Sequence, residues 1–267
     1  MKFVVRSPIY DSEEITIPPE VSNLAKSFNG TVCSPKGDEY KIKNNIVDLL
    51  TDQKSYTLAQ STNQWKLTAS VYEDVWRVRS LSLLTGEPFP VDKEKELLRE
   101  WINPQPEKKY LDVGCSTCLY ARFLKTLEPK SFQVAIDFSA AMLEEARLKS
   151  EADQADVLLI RADAREMPFF AKTFDGVVMG GTLNELTDEL KVLFECRRVM
   201  KKNGVLFLMH LIQSDSWYGK VLQNSAGWSG IKFWTVEQSN ELFERAGFRV
   251  EDQMTKGIVC FTKLRPV

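Results

Sequence analysis

Short β-branched runs alternate regularly with amphipathic segments from Tyr110 to the end of the chain. This alternation predicts βαβ units and a mainly parallel sheet. Only a few residues around Thr255-Lys256-Gly257 separate the last two runs, so we expect a hairpin in which one strand runs antiparallel. Seven strands are predicted, at residues 109–114, 132–137, 156–161, 174–180, 204–211, 248–254 and 257–263. The pattern therefore predicts an α/β fold.

The helices predicted between these strands have recognisable ends. Thr235 and Gln238 fit a capping box, and the helix that they begin is expected to stop at Gly247. Another helix is expected to begin near Thr187 and to end at Asn203-Gly204.

Two further parts precede this alternation. Residues 1–60 are predicted to form a small β-rich piece. Residues 61–104 are predicted to form a helical cap or linker, with helical spacing around Leu67–Leu84 and Lys93–Ile102. Residues 105–267 would then form the main domain.

Composition narrows the class of protein. The chain has 267 residues, 43% of them hydrophobic, and a formal net charge of -2, which argues against a large basic face for nucleic acid. We find no targeting signal at the amino terminus, and the longest apolar run, Val205–Ile212, is too short to span a bilayer. Five scattered cysteines do not indicate a disulfide framework. We therefore expect a soluble, cytoplasmic protein with reduced thiols.

Candidate chemistry is concentrated where the first predicted strand ends. The strand breaks at Gly114 into a short turn, and a helix follows from about Leu119. Such a turn exposes backbone N–H groups at a helix amino terminus, which suits a carboxylate or a phosphate. Asp137, at the end of the next strand, is placed to accept hydrogen bonds from both hydroxyls of a ribose. Together these features predict a nucleotide-like ligand.

Several ordered motifs resemble those of the class I methyltransferases, especially the ubiquinone/menaquinone-biosynthesis-like group, methyltransferase type 11. The motifs are Leu111-Asp112-Val113-Gly114-Cys115, Ala135–Leu143, Ala162–Phe169, Phe174–Val178, Arg198–Gly204 and Thr235–Phe248. The resemblance implies a Rossmann-like sheet of seven strands flanked by helices, mainly parallel with one antiparallel strand. It also implies S-adenosyl-L-methionine as the methyl donor and S-adenosyl-L-homocysteine as the product.

The same resemblance assigns roles to individual residues. It implies that the turn after Gly114 meets the methionine part of the cofactor, that Asp137 holds the ribose, and that Asp163 faces the adenine amino group. Phe138 and Met142 would flank the adenine. The full set of cofactor contacts that it implies is Asp112, Gly114, Cys115, Ser116, Asp137, Phe138, Met142, Asp163, Ala164 and Gly180.

One departure from the family pattern bears on cofactor binding. The usual G-x-G-x-G is here Gly114-Cys115-Ser116-Thr117-Cys118, so two glycines are missing. A non-glycine residue at positive φ costs roughly 1 to 2 kcal/mol, and its side chain can crowd a ligand.

Two other classes of enzyme stay open. Cys115 and Cys118 form a C-x-x-C motif at a helix start, the setting in which thioredoxin-like proteins depress a thiol pKa. An NAD(P)-dependent oxidoreductase fits less well, because G-x-G-x-x-G would need glycine at Ser116 and Leu119.

The amino-terminal piece faintly resembles the zinc-ribbon-like module that precedes some methyltransferases. The segment Tyr40–Leu50 matches the final strand of that module. Those modules carry four Cys or His ligands, whereas this piece has only Cys33, so we expect no metal.

The acceptor site is expected under two aromatic-rich segments, one before the first strand of the main domain and one after its fifth. Their residues are Trp65, Tyr72, Trp76, Trp217, Tyr218, Trp228, Phe233 and Trp234. Aromatic walls suit a flat or apolar small molecule, although the rings equally suit plain packing. The candidate catalytic residues are His210, Asn184 and Tyr72, of which His210 is the only histidine and a possible general base.

Taken together, the sequence predicts methyl transfer to a small, aromatic or apolar metabolite of quinone-pathway type. The alternative is a catalytically inactive protein that keeps the methyltransferase fold as a binding partner.

Overall fold

The computed structural model describes residues 3–9, 12–50, 91–215, 220, 223 and 230–267. The strands are β1 (Phe3–Arg6), β2 (Glu14–Ile17), β3 (Gly30–Cys33), β4 (Glu39–Lys43), β5 (Ile46–Asp48), β6 (Lys109–Val113), β7 (Phe132–Asp137), β8 (Val157–Arg161), β9 (Phe174–Gly180), β10 (Met200–Leu211), β11 (Phe248–Lys256) and β12 (Val259–Pro266). The α-helices in the described parts are α1 (Val91–Ile102), α2 (Leu119–Leu127), α3 (Ala140–Ala152), α4 (Glu189–Val199) and α5 (Val236–Arg245).

One large sheet organises the described chain. It has ten strands in the order β11-β12-β10-β9-β6-β7-β8-β5-β4-β3. Strands β6 to β10 pair in parallel, and β12 runs antiparallel to both β10 and β11. The predicted α/β, Rossmann-like sheet is confirmed, and its seven predicted strands are β6 to β12.

The sheet is larger than the sequence predicts, because amino-terminal strands extend it. β5 pairs in parallel with β8, and β4 and β3 follow as antiparallel neighbours. β1 and β2 form a separate hairpin. Phe3 of this hairpin is buried and stacks on Phe132, with ring centroids 5.1 Å apart. Because β5 pairs with β8, the edge of β8 is not left open, and its backbone groups are not left as an unpaired row.

Both faces of the sheet are covered by helices. On one face, Leu206 and Leu208 of β10 belong to a buried cluster that includes residues of α4 and α5. On the other, Phe207 and Met209 of the same strand pack with residues of α1 and α2. This in-out alternation is what a strand buried on both faces requires.

The ends of the predicted helices are partly confirmed. Thr235 and Gln238 form a complete capping box, and Gly247 follows α5 with φ 82°. The expected end of α4 at Asn203-Gly204 is wrong, because the helix ends at Val199. Met200 instead pairs with Phe174 and starts β10.

Part of the predicted cap is outside the described residues. The segment around Lys93–Ile102 is helical, as α1, whereas the segment around Leu67–Leu84 lies outside the described ranges. Among the helices that the structure describes, none is long and apolar enough to cross a membrane.

Candidate functional site

A cleft opens at the carboxyl ends of β6 to β9, where ligands bind in open parallel sheets. Its volume is about 820 Å³, with the solvent at its mouth included. Most of the predicted cofactor contacts line it, namely Gly114, Ser116, Asp137, Phe138, Met142, Asp163, Ala164 and Gly180. The sequence did not single out Ile136, Ala162, Arg165, Gly181, Thr182, Leu186 and Thr187, which line it too.

The turn after β6 needs glycine at its first position. Gly114 has φ 63°, and a Cβ atom there would lie 2.4 Å from the Thr182 side chain. The Thr182 hydroxyl donates to the Gly114 carbonyl over 3.0 Å. Thr182 thus connects this turn to the loop after β9. No side chain is tolerated at residue 114 unless Thr182 moves.

The two non-glycine residues in this turn adopt the conformation that glycine would. Ser116 has φ 50° and Cys118 has φ 66°. Such positions cost roughly 1 kcal/mol or more each for an ordinary residue. The Ser116 N–H donates to Asp137 Oδ2 over 2.9 Å, and the Cys118 N–H donates to the Cys115 carbonyl over 2.7 Å. The backbone shape of the turn is therefore retained at a cost in strain.

The thiols of the C-x-x-C motif lack the surroundings of a redox pair. Cys115 is 7% exposed, Cys118 is fully buried, and both are free thiols. Burial raises the pKa of the Cys115 thiol well above its ordinary value, and the neighbouring Cys118 and acids raise it further. A reactive cysteine requires the opposite shift.

Asp137 combines burial with firm placement. It is 7% exposed at the end of β7. Its Oδ2 accepts the Ser116 N–H over 2.9 Å, and its Oδ1 accepts the Ser139 N–H over 2.8 Å. Burial raises the pKa of this carboxyl, and N–H donation from Ser139, Ser116 and Phe138 opposes that rise. A carboxylate has about four lone-pair sites, so at least one acceptor site remains for a ligand in the cleft.

Asp163 lines the cleft just after β8, the neighbour of β7, and is paired. Arg165 binds both oxygens of its carboxylate, with Nη2 to Oδ2 at 2.8 Å and Nε to Oδ1 at 3.0 Å. The same guanidinium donates from Nη1 to the Thr187 hydroxyl over 3.0 Å. Arg165 therefore joins the loop after β8 to the loop that leads into α4.

Two of the predicted contacts lie behind the cleft rather than in it. Asp112 is 3% exposed, and its Oδ2 accepts the Ala121 N–H over 3.2 Å in the first turn of α2. Cys115 is buried among apolar residues of α2, α3, β7 and β8. Neither is among the residues that line the cleft.

Tyr120 supports the far end of the cleft. A Cβ atom at Gly180 would lie 2.5 Å from the Tyr120 ring, so only glycine fits there. The phenol of Tyr120 donates a hydrogen bond to the buried carboxylate of Glu94, on α1. Neither Tyr120 nor Glu94 belongs to a sequence motif that predicts the site.

The candidate catalytic residues differ in their surroundings. The His210 ring is fully buried, lies edge-on to Phe243 with centroids 5.6 Å apart, and neither ring nitrogen has a hydrogen-bond partner among the described residues. Burial lowers the pKa of His210 to about 4, so the ring is neutral at pH 7. Its role as a base stays a prediction, and Tyr72 lies outside the described residues.

Asn184 connects the loop after β9 to the segment that returns before α5. Its amide donates to the carbonyls of Leu211 and Lys232 over 2.8 and 2.6 Å, and its Oδ1 accepts the Leu211 N–H over 2.8 Å. Three of its four hydrogen-bonding positions are therefore used by backbone.

The aromatic residues predicted to cover the acceptor lie largely outside the described residues. Trp234 is described, pairs by a single bridge with Ile212 and packs against the core. Outside the described ranges lie Trp65, Tyr72, Trp76, Trp217, Tyr218 and Trp228.

Comparison with known proteins gives the class. Residues 111–208 match the family model described as a methyltransferase domain. Demethylmenaquinone methyltransferase from Thermotoga maritima is 36% identical over 123 residues, which are 45% of this chain and 49% of that protein. The chain thus spans about half the length of this relative.

Solved structures show the same fold. A S-adenosylmethionine-dependent methyltransferase from Aquifex aeolicus matches 65% of this chain and 90% of its own, with a TM-score of 0.54 at 22% identity. The [4+2]-cyclase SpnF matches 80% of this chain and 97% of its own, with a TM-score of 0.58 at 16% identity.

Together with the fold, these matches support a class I S-adenosylmethionine-dependent methyltransferase domain that is similar to those of the ubiquinone/menaquinone-biosynthesis-like group.

The residues of the cleft fit S-adenosylmethionine. A buried carboxylate ends β7, where a ribose needs acceptors, and Gly114 and Gly180 line the cleft without side chains. The donor and acceptor chemistry of the cleft therefore agrees with the cofactor of the class.

Proposed function

We propose that this protein transfers a methyl group from S-adenosylmethionine to a small, aromatic or apolar metabolite in the cytoplasm. The observation that carries the proposal is the placement of Asp137, buried at the end of β7 and hydrogen-bonded to Ser116 in the turn after β6. When bound, the cofactor supplies an activated methyl group on a sulfonium, which a nucleophile on the acceptor takes in line.

Asp137 would hold the ribose. Its carboxylate keeps acceptor capacity, and hydrogen bonds to a charged group are worth roughly 1.5 to 3 kcal/mol each. Because backbone N–H groups fix both oxygens, the acceptor is already aimed before the ligand arrives.

The turn after β6 and the loop after β9 would hold the methionine end. Gly114, Gly180 and Gly181 bring backbone, rather than side chains, to the wall of the cleft. Thr182 and Tyr120 pack against these glycines and hold the wall in place. Catalysis would rest mainly on positioning and on exclusion of water, since methyl transfer needs aligned partners and no covalent enzyme intermediate.

The acceptor class is supported by the relatives. The Thermotoga protein is named a demethylmenaquinone methyltransferase. An inactive binding partner with this fold is the weaker alternative, because the Asp137 carboxylate and the glycines at 114 and 180 all line the cleft.

Two measurements test the proposal. Calorimetric titration with S-adenosylhomocysteine should give saturable binding with one ligand per chain. A reduced naphthoquinone incubated with methyl-labelled S-adenosylmethionine should then become labelled. A folded protein that does not bind S-adenosylhomocysteine contradicts the whole proposal. Binding without transfer to the naphthoquinol contradicts an acceptor of the quinone type.

A further inference from the structure

Three strand ends meet beside the cleft, and one of them belongs to the amino-terminal piece. In the register of the sheet, Arg161 at the end of β8 pairs with Asp137 at the end of β7 and with Asp48 at the end of β5. The Leu49 N–H donates to the Arg161 carbonyl over 2.9 Å, so the backbone contact continues past β5. Asp48 is thereby held two strands away from the carboxylate that we assign to the ribose.

The Arg161 side chain connects these strand ends. Its Nη1 donates to Asp48 Oδ2 over 2.9 Å, and its Nε donates to the Phe138 carbonyl over 2.9 Å. A guanidinium is planar and rigid, so one group fixes the geometry of both hydrogen bonds. The Asp48 carboxylate is itself oriented, because its Oδ1 accepts the Leu50 N–H over 3.2 Å. The amino-terminal piece therefore reaches the loop after β7 through this side chain.

Phe138 is the residue through which this contact bears on the cleft. It follows Asp137 directly and lines the cleft. Its N–H donates to the Asp137 carboxylate, and its carbonyl accepts from Arg161. Because the backbone is held on both sides of Phe138, the direction of its ring is fixed. An aromatic ring in the wall of a cleft can stack on the flat base of a nucleoside.

The ion pair is too exposed to matter mainly for stability. The Arg161 and Asp48 side chains are 27% and 40% exposed, and a pair screened by water to this degree contributes little to the stability of a fold. Its larger effect is expected on geometry, because it holds the guanidinium that binds the Phe138 carbonyl.

We propose that Asp48 and Arg161 are positioning residues for the cofactor, through which the amino-terminal piece holds Phe138 against the base of S-adenosylmethionine. Both act through Phe138 rather than on the ligand itself, since Asp48 orients Arg161 and Arg161 orients the Phe138 carbonyl. This inference rests on the proposed function, because it assumes that the nucleoside lies in this cleft.

The first test is calorimetry with S-adenosylhomocysteine on folded variants of the full chain. Arg161→Met removes the donor to the Phe138 carbonyl and should weaken the ligand by about tenfold, which is roughly 1.4 kcal/mol. Asp48→Ala keeps that donor but removes the acceptor that orients Arg161, so it should weaken the ligand less, by about threefold.

An exchange of the two charges separates positioning from a plain structural role. The double variant Asp48→Lys, Arg161→Glu regains an ion pair, but the new carboxylate cannot donate to the Phe138 carbonyl. It should melt closer to the wild type than either single substitution does, and still bind S-adenosylhomocysteine as weakly as Arg161→Met. A merely structural pair would regain affinity together with the melting temperature.

Arg265, towards the opposite edge of the sheet, offers a matched control. On β12 it binds the Glu251 carboxylate, and its Nη1 donates to the Asn203 carbonyl over 3.0 Å. The two charged side chains are similarly exposed, at 28% and 32%. Arg265→Met should therefore leave the affinity for S-adenosylhomocysteine unchanged.

The affinities decide the inference. Wild-type affinity in folded Arg161→Met overturns it, and so does wild-type affinity in the charge-exchanged variant. If Arg161→Met does not fold, Asp48→Ala decides, and an affinity equal to that of the wild type overturns the inference. A wild-type protein that does not bind S-adenosylhomocysteine contradicts the proposed function and this inference with it.

Discussion

The two walls of the cleft are built by different means. The turn wall, residues 114–118, shapes the cleft through backbone conformation, with positive φ at Gly114, Ser116 and Cys118. The acid wall, formed by Asp137 and Asp163, acts through carboxylate side chains. At Ser116 and Cys118 the strained backbone accepts a side chain at a cost of about 1 kcal/mol, whereas a missing acceptor has no substitute. We therefore expect substitutions at the acid wall to weaken ligand binding, and substitutions at the turn wall to change mainly the stability of the fold.

The largest effect on binding is expected at the acid wall. Asp137→Ala removes the acceptor for the ribose and should weaken S-adenosylhomocysteine by about 10-fold to more than 100-fold. Calorimetry on variants with matched melting temperatures measures this. Asp252→Ala, exposed on β11, is the control and should bind as the wild type does. Wild-type affinity in a folded Asp137→Ala protein would show that the carboxylate of the acid wall does not hold the ribose.

We expect the stability of the protein to depend on pH through His210, which lies behind the loop that faces the turn wall. His210 follows Met209, whose carbonyl accepts the Gly181 N–H over 2.9 Å. Because burial lowers the pKa of His210 from 6.5 to about 4, the unfolded chain binds this proton more readily. The contribution of the neutral ring to the free energy of unfolding is therefore fully present above pH 6.5. It is lost as the pH falls from 6.5 towards 4.

The size of this effect is measurable by urea unfolding. Between pH 7.5 and pH 5 the wild type should lose about 2 kcal/mol more than His210→Leu loses. Equal losses would show that the ring is protonated or solvated in the folded state, and they would reopen its role as a base.

A smaller effect is expected at the turn wall itself. Ser116→Gly removes the side chain from a residue with φ 50° and should raise the free energy of unfolding by about 1 kcal/mol. Among the described residues, the Ser116 hydroxyl donates a hydrogen bond to Met142 Sδ over 3.5 Å, a weak acceptor, so little is lost. Ser22→Gly in a short 3-10 helix, at a residue without positive φ, is the control and should not stabilise. A destabilised Ser116→Gly protein would mean that the serine side chain, not the backbone, shapes this wall.

The smallest effect is expected from the thiols. Replacement of both Cys115 and Cys118 by Ser should leave cofactor affinity within about tenfold of the wild type. The raised pKa of Cys115 already argues against redox work. A disulfide-reductase activity that the wild type shows and this double variant lacks would contradict that view.

The sequence predicts side chains at the acid wall well and contacts at the turn wall poorly. Asp137 and Asp163 stand in recognisable motifs after strands, so their place in the cleft could be predicted. Thr182 and Tyr120 matter because they meet the missing Cβ of Gly114 and Gly180, and such contacts join residues far apart in the chain. The pairing of Arg165 with Asp163 depends on how a loop closes, which no periodicity reveals.

Sequence patterns also fail to predict contacts between distant segments at the edge of the sheet beyond β8. Seven strands followed from alternation along the chain, but the pairing of Ile46 with Leu159 joins segments that no local pattern connects. The extension of the sheet by β3, β4 and β5 could therefore be seen only in the structure.

The most direct test of the account is a crystal structure of the protein with S-adenosylhomocysteine. We predict that both ribose hydroxyls lie within hydrogen-bonding distance of the Asp137 carboxylate, with the homocysteine end against the turn wall and the base towards Asp163 and Arg165. A ligand bound elsewhere, or a ribose without contact to Asp137, would contradict the assignment of this cleft.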